Sequence, residues 1–191
     1  MKTSIVISGR HDPTDARYKD IRHSFEKAGY QVVFHVPNWQ LHSIEELVEE
    51  LLQKIPNDKN PLTLFGFSLG AMIALVASTK RGVDNLILCS PSGYFKEYAS
   101  KLTEEDMSWA HEHVKDFKNW SAQQTIHEAK VKHGYIVAGE NELREWEDFK
   151  QWVDDLHAQT RWPLKVVPNV AHEIEALTYQ ESVKAIVQAL G

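Results

Sequence analysis

The sequence predicts an α/β protein of three layers, a parallel β-sheet with helices on both faces. Along most of the 191 residues, short extended apolar runs alternate with longer segments of helical period. A Gly-flanked turn joins one such run directly to one such segment. The composition, 42% hydrophobic and 25% charged, is that of an ordinary globular chain. The length suits one domain, residues 1–191, with a substantial core, and is short for two.

Candidate strands cover residues 4–8, 31–35, 62–67, 85–89, 134–138 and 164–167. Between them a 3.6-residue period runs through Ile21, Phe25 and Ala28, then Ile44, Leu47, Val48, Leu51 and Leu52. It returns at Trp146, Phe149, Trp152, Val153 and Leu156, and in a last helix over 179–190 with Val183, Ile186, Val187 and Leu190. Ser43 with Glu46 and Thr178 with Glu181 match the S/T-x-x-E capping box, and Pro56 stops the second helix. Parallel sheets of this kind bind ligands at the carboxyl ends of their strands.

Residues 90–130 break the alternation. They hold no strand pattern, only helical stretches over 103–117 and 121–128, opened by Thr103 with Asp106 and Ser121 with Gln124. This insertion of about 91–130 carries Tyr94, Phe95, Tyr98, Trp109, Phe117 and Trp120. Two readings fit: a lid over a pocket, with Tyr94, Trp109 and Trp120 on its wall, or a helical pair whose aromatics seal it to the domain.

Charge and composition exclude several classes. Lys+Arg 21 against Asp+Glu 27 gives a net charge of −6, which opposes nucleic-acid binding. No apolar run is long enough to span a bilayer, and the start Met1-Lys2-Thr3-Ser4 lacks a signal-peptide pattern, so the expected location is cytoplasmic with no membrane partner. Cys89 is the single cysteine and is expected to pack as a small apolar side chain at a strand end.

The chemistry centres on Gly66-Phe67-Ser68-Leu69-Gly70, a G-x-S-x-G pattern between the strand over 62–67 and a helical run over 69–78. A sharp strand-to-helix turn holds its central residue in strained geometry and leaves the hydroxyl exposed, so Ser68 is the candidate nucleophile. A serine needs a base, and the base needs an orienting acid, both downstream. Of the ten histidines, His172 lies in the loop after the last strand, just before the final helix. His111 and His113 are two apart on a helix and cannot easily share a metal, while His23, His127 and His157 read as solvated helix residues. The acid is expected in the loop Gly139-Glu140-Asn141-Glu142-Leu143. The backbone N–H of Leu69, at the helix start, is one donor for a developing oxyanion.

With these residues in hand, the chain resembles the α/β-hydrolase superfamily. The likeness rests on Gly66-Phe67-Ser68-Leu69-Gly70, the 139–143 loop, Ala171-His172-Glu173 and the strand order across nearly the whole chain. The resemblance implies that the acid lies three residues after the loop glycine, at Glu142, with Glu140 the alternative; aspartate is commoner at that place in the family. It puts the second oxyanion donor on the backbone of Arg10, in Ser8-Gly9-Arg10-His11, where Ser8 stands for the family's usual histidine. The Arg10 side chain could meet a substrate carboxylate or pair with Asp12 or Asp15. His11 and Trp39 fall on loops at the pocket side and are candidate substrate contacts. The mapped sheet is a minimal α/β-hydrolase fold, six-stranded and essentially parallel, in order 2-1-3-4-5-6, with residues 31–35 at an edge.

The expected activity is that of a serine hydrolase working through an acyl-enzyme on a small ester or thioester. Ser68, His172 and Glu142 form its triad, and Leu69 and Arg10 its oxyanion hole. No metal or organic cofactor is implied. Amide, lactone or carbon–carbon bond hydrolysis by the same triad, and a non-catalytic binding protein of the same fold, are the alternatives. The edge strand with Val32 and Phe34 allows either a monomer or a homodimer.

Overall fold

The computed structural model describes residues 2–10, 15–57 and 60–190. Its strands are β1 Lys2–Ile7, β2 Tyr30–His35, β3 Leu62–Phe67, β4 Val83–Cys89, β5 Val131–Gly139 and β6 Leu164–Val167. They form one sheet in the order β2-β1-β3-β4-β5-β6, parallel throughout, as the sequence led us to expect. The helices are α1 Lys19–Lys27, α2 Ile44–Lys54, α3 Leu69–Lys80, α4 Glu104–His113, α5 Ala122–Glu128, α6 Glu140–Glu145, α7 Glu147–Thr160 and α8 Leu177–Ala189.

Because successive strand residues face opposite ways, the sheet feeds two cores. Ile5, Ile7, Leu64, Leu86 and Leu88 pack with α2, α3 and α7, whereas Val6, Phe65, Ile87 and Val137 pack with α1 and α8. Every residue of α3 from Leu69 through Ser78 is buried, as befits a helix apolar on all sides. Cys89 is buried and unbonded to any other sulfur, and burial pushes its thiol well up, so it stays protonated.

The insertion is tied to the fold through α2. Ser43 Oγ accepts the Glu46 N–H at 3.1 Å, and Asp116 accepts the Ile44 N–H at 2.6 Å, a second cap donated by the insertion. Lys115 N–H reaches His42 O at 2.9 Å, which draws the chain out of helical geometry. The helix expected over 103–117 therefore ends at His113, and Phe117–Asn119 forms a separate 3-10 turn. A second boundary also differs. The N–H groups of Tyr179 and Gln180 already bond Ala176 O, so α8 starts at Leu177 and Thr178 lies inside it, where it cannot cap.

Candidate active site

Ser68 sits between the end of β3 and the start of α3 at φ 56° and ψ −123°, a conformation costly for any residue but glycine. The turn is held by its N–H to Cys89 O at 2.9 Å and by its carbonyl, which accepts Ala71 N–H at 3.0 Å and Ser92 N–H at 3.1 Å. It also needs its glycines. A methyl on Gly66 would lie 2.4 Å from Gly70 O, and one on Gly70 would lie 2.5 Å from Ser8 O, so strand, helix and β1 meet backbone to backbone. Gly66→Ala is therefore expected to cost about 3 kcal/mol or more, or to leave no soluble protein. Urea denaturation tests this, and a variant as stable as wild type would contradict the packing.

His172 and Glu142 meet across the ends of β5 and β6. His172 Nδ1 lies 2.5 Å from Glu142 Oε1, and because a carboxylate only accepts, Nδ1 carries the proton. The Glu142 side chain is fully buried. Its other oxygen, Oε2, accepts the Ser90 hydroxyl at 2.6 Å and the Gly139 N–H at 2.8 Å. The Gly139 bond is the reach-back half of a helix cap, since Glu142 is the third residue of α6. Glu140 points elsewhere: its Oε2 accepts the N–H of Asn169 at 2.9 Å on the surface. The His172 ring is flanked by Phe67 at 4.7 Å and Trp146 at 5.8 Å.

Ser68 and His172 line one cavity of about 660 Å³. Among the described residues the Ser68 hydroxyl bonds only Ser92 Oγ, at 3.3 Å. Catalytic hydrogen bonds often tighten only when substrate is bound. Leu69 and Arg10 also line the cavity. The loop after β1 runs beside Ser68, since a methyl on Gly9 would lie 3.1 Å from Ser68 Cβ. Tyr94, Tyr98 and Leu102 form the wall on the insertion side, and Trp146, Phe149 and Trp152 the wall after Glu142. A larger open groove of about 780 Å³ beside α5 holds neither Ser68 nor His172. Among the described residues no three metal-ligating side chains converge, and no helix is long and apolar enough to cross a membrane.

The other candidates separate. Tyr94 is in the cavity wall, but Trp39, Trp109 and Trp120 are not among its lining residues. Trp109 stands behind the wall, edge-on to Tyr94 and Trp39 and under the Arg10 guanidinium at 4.6 Å. Trp120 donates its indole N–H to Asp116 at 2.9 Å, which serves the cap of α2. His11 lies outside the described residues. Arg10 bonds Tyr94 OH at 3.0 Å and Asp106 at 3.1 Å, which ties its guanidinium to the insertion. Burial would raise the Asp106 carboxyl, but bonds from Thr103 and Tyr94 and the Arg10 charge outweigh it and hold it below the usual range. Sequence reasoning missed Trp146 and Phe149 as cavity residues because their helical period assigned them to the core. Their place directly after the acid loop was the available signal.

The fold is that of the α/β-hydrolases. A family model described as Thioesterase domain matches residues 17–82, which include Ser68. No curated protein matches the sequence. Among solved structures, Est1E from Butyrivibrio proteoclasticus superposes with a TM-score of 0.78 at 15% identity, over 99% of this chain and 86% of that one. MenH from S. aureus gives 0.66 at 16% identity, over 98% and 92%. Carboxyl esterase 2 from the mycorrhizal fungus Tuber melanosporum gives 0.62 at 17%, over 98% and 76%.

Proposed function

We propose that the chain is a serine hydrolase that cleaves small, uncharged esters or thioesters through an acyl-enzyme on Ser68. The observation that carries this reading is the bond of 2.5 Å between His172 Nδ1 and the buried Glu142, with the other side of His172 open to the cavity of the strained Ser68 turn. In it, His172 Nε2 takes the Ser68 proton as Oγ attacks the carbonyl carbon. The protonated ring then gives that proton to the leaving group, and water repeats the cycle to release the acid. Leu69 N–H, at the positive end of α3, and the Arg10 backbone stabilise the oxyanion. The thioesterase-type match and the esterases among the structural neighbours support the reaction class.

The charges at the mouth favour an uncharged substrate. Glu105, Asp106, Glu145, Glu147 and Asp148 face Arg10 and Lys101, and both cations are paired, Arg10 with Asp106 at 3.1 Å and Lys101 with Asp148 at 3.8 Å. Anionic acyl carriers are repelled. Trp146, 48% exposed and edge-on to Phe149, offers an aromatic shelf next to His172. A fluorophosphonate should label wild type at Ser68, and kcat/KM across an ester panel should favour aryl over acidic esters. Trp146→Ala should lower kcat/KM for aryl esters by about tenfold, from an aromatic contact of about 1 kcal/mol plus lost area. Acetate esters should change far less. Equal losses on both would remove the shelf from the reading, and absent labelling would end it.

A further inference from the structure

The acid is gripped from behind by groups that the reaction scheme leaves unused. Ser90 follows β4, fully buried at φ 43°, with its N–H bonded to Val137 O at 2.7 Å. Its single hydroxyl proton goes to Glu142 Oε2 at 2.6 Å, because a carboxylate oxygen accepts. The 2.8 Å contact between Ser90 Oγ and Tyr179 OH must then be donated by Tyr179. The phenol has a second, longer acceptor in Val137 O at 3.2 Å.

We propose that Tyr179 and Ser90 form a relay of two hydroxyls that positions the Glu142 carboxylate so that Oε1, and not Oε2, addresses His172. The proposal rests on the serine-hydrolase reading and assigns Ser90 and Tyr179 as positioning residues, since neither hydroxyl touches the reacting atoms. The direction of the relay follows from proton count: Tyr179 gives to Ser90, Ser90 gives to Glu142, and Gly139 N–H fills the remaining lone pair of Oε2. Oε1 is left for Nδ1 of His172. The buried titratable groups here are Cys89 from β4, next to Ser90 in the chain, and Tyr179 of α8, the first member of the relay. Burial pushes both well up, so both keep their protons and the relay keeps its direction. Its members and the carboxylate they hold come from three separate places, the residue after β4, α6 and α8, so packing of α8 on the sheet is coupled to the acid. Tyr179 is also edge-on to Phe67 at 6.2 Å, next to the nucleophile.

The test separates hydroxyl from backbone. Ser90→Ala should lower kcat about 10- to 100-fold with KM nearly unchanged, the scale of a lost hydrogen bond to a charged group. Ser90→Gly removes the same hydroxyl but relaxes the positive φ, so it should lose as much kcat while holding a higher Tm than Ser90→Ala. Tyr179→Phe should lose less, and the double variant with Ser90→Ala should be no worse than Ser90→Ala alone, because one acts through the other. In the resting protein the low-field proton resonance of His172 Nδ1–H should move or vanish in both Ser90 variants, a readout that needs no turnover. Wild-type kcat in Ser90→Ala and Ser90→Gly beside an inert Ser68→Ala would overturn the relay alone. So would a kcat loss with the His172 resonance unmoved, or a Ser90→Gly variant restored to wild-type turnover. A Ser68→Ala protein that still turns over would instead overturn the hydrolase reading.

Discussion

Ser68→Ala is expected to lower kcat by about four orders of magnitude or more, with loss of fluorophosphonate labelling, because members of a triad act as a unit. The fold should survive, since the turn is held by backbone bonds and by Gly66 and Gly70, none of which uses the hydroxyl. Ser68→Gly should be equally inert and more stable than Ser68→Ala by about 1 kcal/mol, as glycine accepts φ 56° without strain. His172→Ala should resemble Ser68→Ala in rate. Near wild-type turnover of an activated ester by purified Ser68→Ala would end the mechanism.

Glu142→Gln carries the second large effect, about three to four orders of magnitude in kcat, and the geometry supplies the reason. Oε2 accepts from both Ser90 and Gly139 N–H, so the amide oxygen of glutamine must occupy that place. Its NH₂ then faces His172 Nδ1, which becomes an acceptor, and the ring proton moves to Nε2. A ring protonated at Nε2 cannot take the proton of Ser68. Glu140→Gln should stay within about fivefold of wild type, because it weakens only a surface loop bond to Asn169. Steady-state kcat of the two variants, measured side by side, decides between the loop carboxylates. The reverse ranking would give the role to Glu140, and small equal losses would deny it to both. Two further carboxylates downstream of Ser68, Asp148 and Glu175, are engaged with Lys101 and Arg17.

Some of the site was readable in one dimension because its chemistry is local. Gly66-Phe67-Ser68-Leu69-Gly70 announces its turn, since the glycines and the change from strand to helix fall within a few residues. His172 was a candidate by its place after the last strand, and it lines the same cavity as Ser68. The aromatics were not readable in this way. Tyr94, Trp109 and Trp120 belong to one insertion, yet only Tyr94 lines the cavity; Trp109 backs Arg10, and Trp120 serves the cap of α2. A side chain's composition does not say which way its helix turns.

Strand and helix alternation and the parallel sheet followed from pattern, because period and turn chemistry act over a handful of residues, while the strand order followed from the resemblance to the α/β-hydrolases. Contacts between distant segments chose the rest. Glu142 faces His172 from 30 positions away, and Ser90 grips it from 52 away on the other side. Arg10 finds Asp106 across 96 residues, a partner that no sequence neighbourhood announces. Two neighbouring glutamates are chemically alike on paper. Helix α6 turns one of them inward, where a buried carboxylate must have every oxygen satisfied, and leaves the other in water, where it need not.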